Sequence, residues 1–72
     1  MKLPRDISGK DAVKALRRAG FEEKPKTGGS HVRLSKGSRR VVVPMHDAIK
    51  PGTLANILRQ ADLTSEQFGK FL

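Results

Sequence analysis

Gly28-Gly29-Ser30-His31-Val32-Arg33-Leu34 is the stretch whose reading decides the fold. Two glycines break the chain, and a small residue, His31, an apolar residue, a basic residue and an apolar residue follow in alternation. That period of two is the pattern of a strand with one buried and one solvated face. Val32 and Leu34 are expected to point into a core, and His31 and Arg33 to stand side by side on the other face. Histidine is the side chain whose ordinary pKa lets it exchange a proton near neutral pH. Beside a cation in a basic protein, it points to chemistry on a phosphate, although most surface histidines on strands have no such role.

Working outward, Lys36-Gly37-Ser38 reads as a hairpin connection, and Arg39 to Val43 as a strand rich in β-branched residues that ends at Pro44. Upstream, the Gly28-Gly29 turn separates the central strand from Phe21-Glu22-Glu23-Lys24-Pro25, whose proline suits an edge strand. Before that, residues 1–7 read as a short extended lead-in. Ser8-Gly9-Lys10-Asp11 then has the spacing of a capping box for a first helix, which is expected to stop at Gly20. At about 100° per residue, Ala12, Val13, Leu16 and Ala19 share one side of that helix, and Lys10, Lys14, Arg17 and Arg18 share the other.

After Pro44 comes a loop, Met45 to Lys50, and then a second helix opened by Lys50-Pro51-Gly52-Thr53, since proline is tolerated in a first turn. Leu54, Ile57, Leu58 and Ala61 give it an apolar stripe. Thr64-Ser65-Glu66-Gln67 is a second capping box for a short last helix, with Leu63 and Phe68 placed as a hydrophobic staple. Phe71 and Leu72 are expected to tuck against the core. The sum is an α+β domain of order α-β-β-β-α, with a three-stranded antiparallel sheet, both long helices on one face and a short C-terminal helix. Val13, Leu16, Val32, Leu34, Leu54, Ile57 and Leu58 are the expected core.

The bulk numbers narrow the function. Seventy-two residues make one domain, with a modest core. Fifteen Lys and Arg against seven Asp and Glu leave a net charge of +8, and the sequence pI is near 10.7. That is the electrostatic footprint of a nucleic-acid binder. No stretch has the form of a polybasic amphipathic membrane anchor. Trp and Tyr are absent and the three Phe stand at positions that read as structural, so a stacking platform for bases is not expected and backbone recognition fits better. There is no cysteine, which removes disulfides and thiolate metal sites. His31, His46 and Asp47 are too scattered to suggest a zinc site, so neither metal nor cofactor is expected. Met1-Lys2-Leu3-Pro4-Arg5-Asp6 has no apolar run of signal-peptide length, and a soluble, cytoplasmic protein is expected. His46, just past a strand end, is expected to use its imidazole on loop backbone more readily than in chemistry.

Gly29-Ser30-His31, Val41-Val42-Val43-Pro44-Met45-His46, Lys50-Pro51-Gly52-Thr53-Leu54 and Ile57-Leu58-Arg59-Gln60-Ala61 together resemble the HicA family, small toxins of bacterial and archaeal toxin–antitoxin pairs. The likeness runs from about Ser8 to Phe68, so the whole of residues 1–72 is expected to be one HicA-like domain. The resemblance implies a fold like a double-stranded-RNA-binding domain, cleavage of mRNA, and neutralisation by a HicB-type antitoxin. It also implies that His31, in the Gly-Ser-His block, is the essential histidine. Two departures stand out: Asp62 occupies a position where many relatives have glycine, which implies an altered termination of the last helix, and the loop after His46 is short.

On that basis His31 is the candidate catalytic residue, serving as base or acid. Arg33 and Lys26 are candidate charge stabilisers, and Lys10, Lys14, Arg17 and Arg18 are candidate contacts to the RNA backbone. One histidine cannot be base and acid at once, so the second role falls to water, a lysine or His46. The alternatives are a non-catalytic RNA-binding module of the same fold and, less well supported, a DNA-binding domain. The latter lacks any helix pair with the composition of a helix-turn-helix.

Overall fold

Residues 6–24 and 31–72 are described by the structure, a computed structural model. The elements follow in the order α1 (Gly9–Arg18), β1 (Glu22–Glu23), β2 (His31–Lys36), β3 (Arg39–Pro44), α2 (Pro51–Ala61) and α3 (Ser65–Phe71). The strands form one antiparallel sheet in the order β1-β2-β3. The domain is therefore α+β of the double-stranded-RNA-binding type. The expected turn at Gly28-Gly29, the lead-in over residues 1–5 and Lys26 lie outside the described residues.

The β2–β3 hairpin sets everything else. Lys36 pairs with Arg39 across a two-residue loop. Gly37, its first residue, has φ 62°, at the position where a type II′ turn calls for glycine. With the turn fixed, the register runs back through Leu34↔Val41 and Val32↔Val43 to His31↔Pro44. Leu34, Val41 and Val43 are fully buried on the helix side. Val32, expected in the core, is only half-buried and packs at its margin.

Both long helices cover that one face. Ser8 caps α1 through the full capping box with Asp11, and Ala12, Val13, Ala15 and Leu16 are buried. The helix stops as the sequence implied. Gly20 has φ 106°, its N–H donates to the Arg17 carbonyl, and the Phe21 N–H donates to the Leu16 carbonyl. These two bonds are the Schellman pattern, and Phe21 is carried into the core by it. The Lys36 ammonium adds a bond of 2.9 Å to the Ala19 carbonyl at the same end, where a cation also meets the negative pole of the helix.

In α2, Lys50 is the N-cap residue and Pro51 takes the first helical position. Leu54, Ile57, Leu58 and Ala61 are buried as expected. Gln60 on the same helix accepts from the Val42 N–H at 3.3 Å, so a side chain occupies part of the outer edge of β3. The capping box of α3 forms between Thr64 and Gln67. Phe68 is fully buried, with Leu63 and Phe71 packed beside the core. Leu72, expected to tuck in, is instead 39% exposed. Ile7, Phe21, Ile49 and Phe68 join the core, though outside the expected set.

Asp62 ends α2 rather than the last helix, and it does so without glycine. It adopts φ 57°, ψ 42°, and the Asp62 and Leu63 N–H groups close onto the Arg59 and Leu58 carbonyls. The Schellman geometry is thus kept, at the cost of a left-handed non-glycine residue. The Asp62 carboxylate accepts from Arg39 at 2.9 Å across an exposed pair, which offsets little of that cost. Asp62→Gly is therefore expected to leave stability unchanged or raise it by up to about 1 kcal/mol. Asp62→Ala keeps the strain, loses the pair, and is expected to cost about 1 kcal/mol. Denaturant midpoints of the two variants check the order.

Candidate nucleic-acid interface and catalytic histidine

Strand parity sorts the basic residues of the sheet into two groups. On the helix side of the hairpin end, Lys36 is bonded to Ala19 and Arg39 to Asp62. Among the described residues, Arg39–Asp62 is the one ion pair. On the opposite, open face the register builds rows across the strands. Glu22, Ser35 and Arg40 form one row. Lys24, Arg33 and Val42 form the next: the Lys24 N–H donates to the Arg33 carbonyl at 2.7 Å, and Arg33 pairs with Val42. His31 and Pro44 form the third.

His31 and Arg33 are both exposed on this face, as expected. Two residues apart on one strand, their Cα atoms are about 6.6 Å apart. Lys24, Arg33, Ser35, Arg40 and Val42 line a shallow concavity beside them. Lys24 and Arg40 were not among the candidates. Arg40 was legible all the same: with Val41 and Val43 inward, alternation alone turns Arg40 outward.

His46 is exposed, and its ring makes no hydrogen bond among the described residues. The expected role on loop backbone falls to its carbonyl, which accepts from the Gly9 N–H at 2.9 Å. The Ile49 N–H donates to the Ile7 carbonyl at 2.8 Å, completing a clamp between the two segments. Gly9 is required there: a Cβ would lie 2.5 Å from the Pro44 carbonyl oxygen and 2.6 Å from Met45 Cα. The clamp holds His46 two residues beyond the partner of His31. With paired Cα atoms about 5 Å apart and two residues spanning at most about 7 Å, the Cα atoms of the two histidines lie within about 12 Å.

The helix candidates divide. Lys10, Lys14 and Arg17 are exposed on α1, which puts them on the helix layer, across the sheet from His31. Arg18 does not join them. Its guanidinium donates to the Phe71 carbonyl at 2.8 Å and ties α3 to α1. No three His, Asp or Glu side chains gather as a metal site among the described residues. No described helix is long and apolar enough to cross a membrane.

One helix-covered face and one open face with an exposed histidine belong to an α-β-β-β-α domain whose fold is like that of a double-stranded-RNA-binding domain. The family model described as the HicA toxin of bacterial toxin-antitoxin matches residues 9–63, more than half of the chain, and the chain belongs to that family. It is accordingly a toxin of a toxin–antitoxin system, and an antitoxin partner is implied. Individually curated proteins give no match. The matched span contains every candidate site residue.

The bond made by Arg18 predicts a stability effect and no special binding effect. Arg18→Ala is expected to cost about 1 kcal/mol and to speed amide exchange in α3. Lys14→Ala is expected to do neither. Hydrogen exchange across residues 65–72 separates them.

Proposed function

We propose that this toxin is an endoribonuclease that cleaves mRNA, with His31 as the proton-transfer residue, and that a HicB-type antitoxin neutralises it by covering that histidine. The observation carrying the reading is the placement of an exposed imidazole beside Arg33 on the uncovered face of a basic domain of this family. RNA carries its own nucleophile. A base takes the proton of a 2′-hydroxyl, the 2′-oxygen bonds the adjacent phosphorus, and the bond to the 5′-oxygen breaks as that oxygen receives a proton. Charge accumulates on the phosphoryl oxygens in between, where a guanidinium stabilises it. His31 supplies one proton transfer and Arg33 the cation. Lys26, from the sequence reading, is a further cation candidate. Of the groups considered for the second proton transfer, His46 stands at the same end of the sheet as His31.

His31→Ala is expected to lower cleavage by about 10²–10⁴-fold and to relieve growth inhibition on induced expression. Its exposed position predicts a stability change within about 0.5 kcal/mol. Affinity for RNA, set by Lys and Arg, is expected to hold within a few-fold at fixed salt. His31→Gln is the companion that keeps polarity and cannot titrate. Cleavage above about a tenth of the parent rate in the Ala variant would remove His31 from this role. Absence of cleavage by the parent as well as by the variants would leave the non-catalytic RNA-binding module as the reading.

The antitoxin is expected to be acidic, to protect the amides of β2 in hydrogen exchange, and to raise the melting temperature by mass action. Unchanged exchange over His31–Lys36 in the complex would put inhibition elsewhere.

A further inference from the structure

The geometry points to Lys24, Arg33 and Arg40 as a track for the ribose-phosphate backbone of single-stranded RNA, leading across the open sheet face to His31, with the α1 stripe taking no part in it. The inference rests on the ribonuclease reading and extends it to where the substrate lies.

Three observations converge. First, the cations of this face are those the fold leaves unused. Lys36 and Arg39, at the same hairpin, are bonded on the helix side, whereas no hydrogen bond or ion pair of the Arg33 or Arg40 guanidinium or the Lys24 ammonium occurs among the described residues. Second, spacing makes them one connected patch centred on Arg33. Arg40 is diagonal to Arg33, about 7–8 Å away in such a ladder. Lys24 stands directly opposite Arg33 on the other side, and His31 is two residues along β2. Steps of that size suit successive phosphates of a single strand. Third, Val42 forms an apolar floor between them, 41% exposed, against which a sugar can rest. The flanking acid is Glu22, at the corner beyond Ser35. It disfavours phosphate there and turns the strand toward Lys24 and His31.

Charge alone would suit an acidic protein equally. The track is assigned to RNA because it shares its face with His31, whose chemistry needs a phosphodiester delivered to it. Lys10, Lys14 and Arg17 rise from the layer on the other side of the sheet, so one strand cannot lie along both surfaces without rounding an edge of the domain.

The test uses 2′-O-methylated single-stranded RNA, which has no free 2′-hydroxyl and so separates binding from cleavage. Fluorescence anisotropy is followed against salt concentration. Arg33→Ala with Arg40→Ala is expected to reduce the slope of log affinity against log salt by about 1.4, and Lys24→Ala by about 0.7. Lys14→Ala with Arg17→Ala is expected to leave it unchanged, as is Arg40→Lys, which keeps the charge. With cleavable RNA, Arg40→Ala should raise KM and spare kcat, because Arg40 lies two rows from His31.

An unchanged slope in the sheet variants, or an equal fall in the helix variant, overturns the track. So does a double substitution that weakens binding of polyglutamate of equal charge and leaves RNA binding intact; the face would then serve an acidic protein alone. Parent protein that binds RNA through these residues without cleaving it overturns the nuclease reading and leaves the track standing.

Discussion

A two-residue loop at Gly37-Ser38 is the constraint on which the rest of this domain depends. It pairs Lys36 with Arg39 and thereby every residue of β2 with one of β3. Because side chains alternate with a period of two, a slip of β3 by one residue would move Val41 and Val43 into solvent and bring Arg40 and Val42 inward. The burial of those two valines beneath α1 and α2 makes such a slip costly. The same register places His31 opposite Pro44 and Arg33 opposite Val42, so the core and the candidate site are specified by one ladder.

The ends of the ladder are held differently. At the hairpin end, Lys36 and Arg39 reach past the core to the last turns of α1 and α2, where cations meet carbonyl groups and a carboxylate. At the other end the contact is made by backbone. Gly9 brings the start of α1 so close to Pro44 and Met45 that no side chain fits between them. Its N–H group then holds the His46 carbonyl. The main chain of His46 is thus positioned without any bond to its imidazole among the described residues.

Membership of the HicA family and the described geometry account for different things. The family accounts for a toxin with an antitoxin. The structure accounts for how a chain of 72 residues can divide its surface, with one face of the sheet committed to packing and the other left basic. On α1, Lys10, Lys14, Arg17 and Arg18 are all exposed, and Arg18 in addition ties the helix to the C-terminal one.

Much of this was legible in the sequence wherever the cause is local. Ser8 with Asp11 and Thr64 with Gln67 form the capping boxes their spacing implied. Gly20 ends its helix, Pro51 opens another, and the alternation through His31 to Leu34 assigns the two faces of β2. Contacts between distant parts of the chain were not legible. The bonds of Arg18, Lys36 and Arg39 reach partners 53, 17 and 23 residues away, and nothing in their local pattern distinguishes them from Arg33 or Arg40. The half-burial of Val32, the exposure of Leu72 and the clamp that fixes His46 are likewise set by what packs alongside. A sequence states which way a side chain leaves its own strand or helix, because that follows from backbone periodicity. Whether it then meets solvent, a carbonyl or another charge is decided only when the elements are brought together.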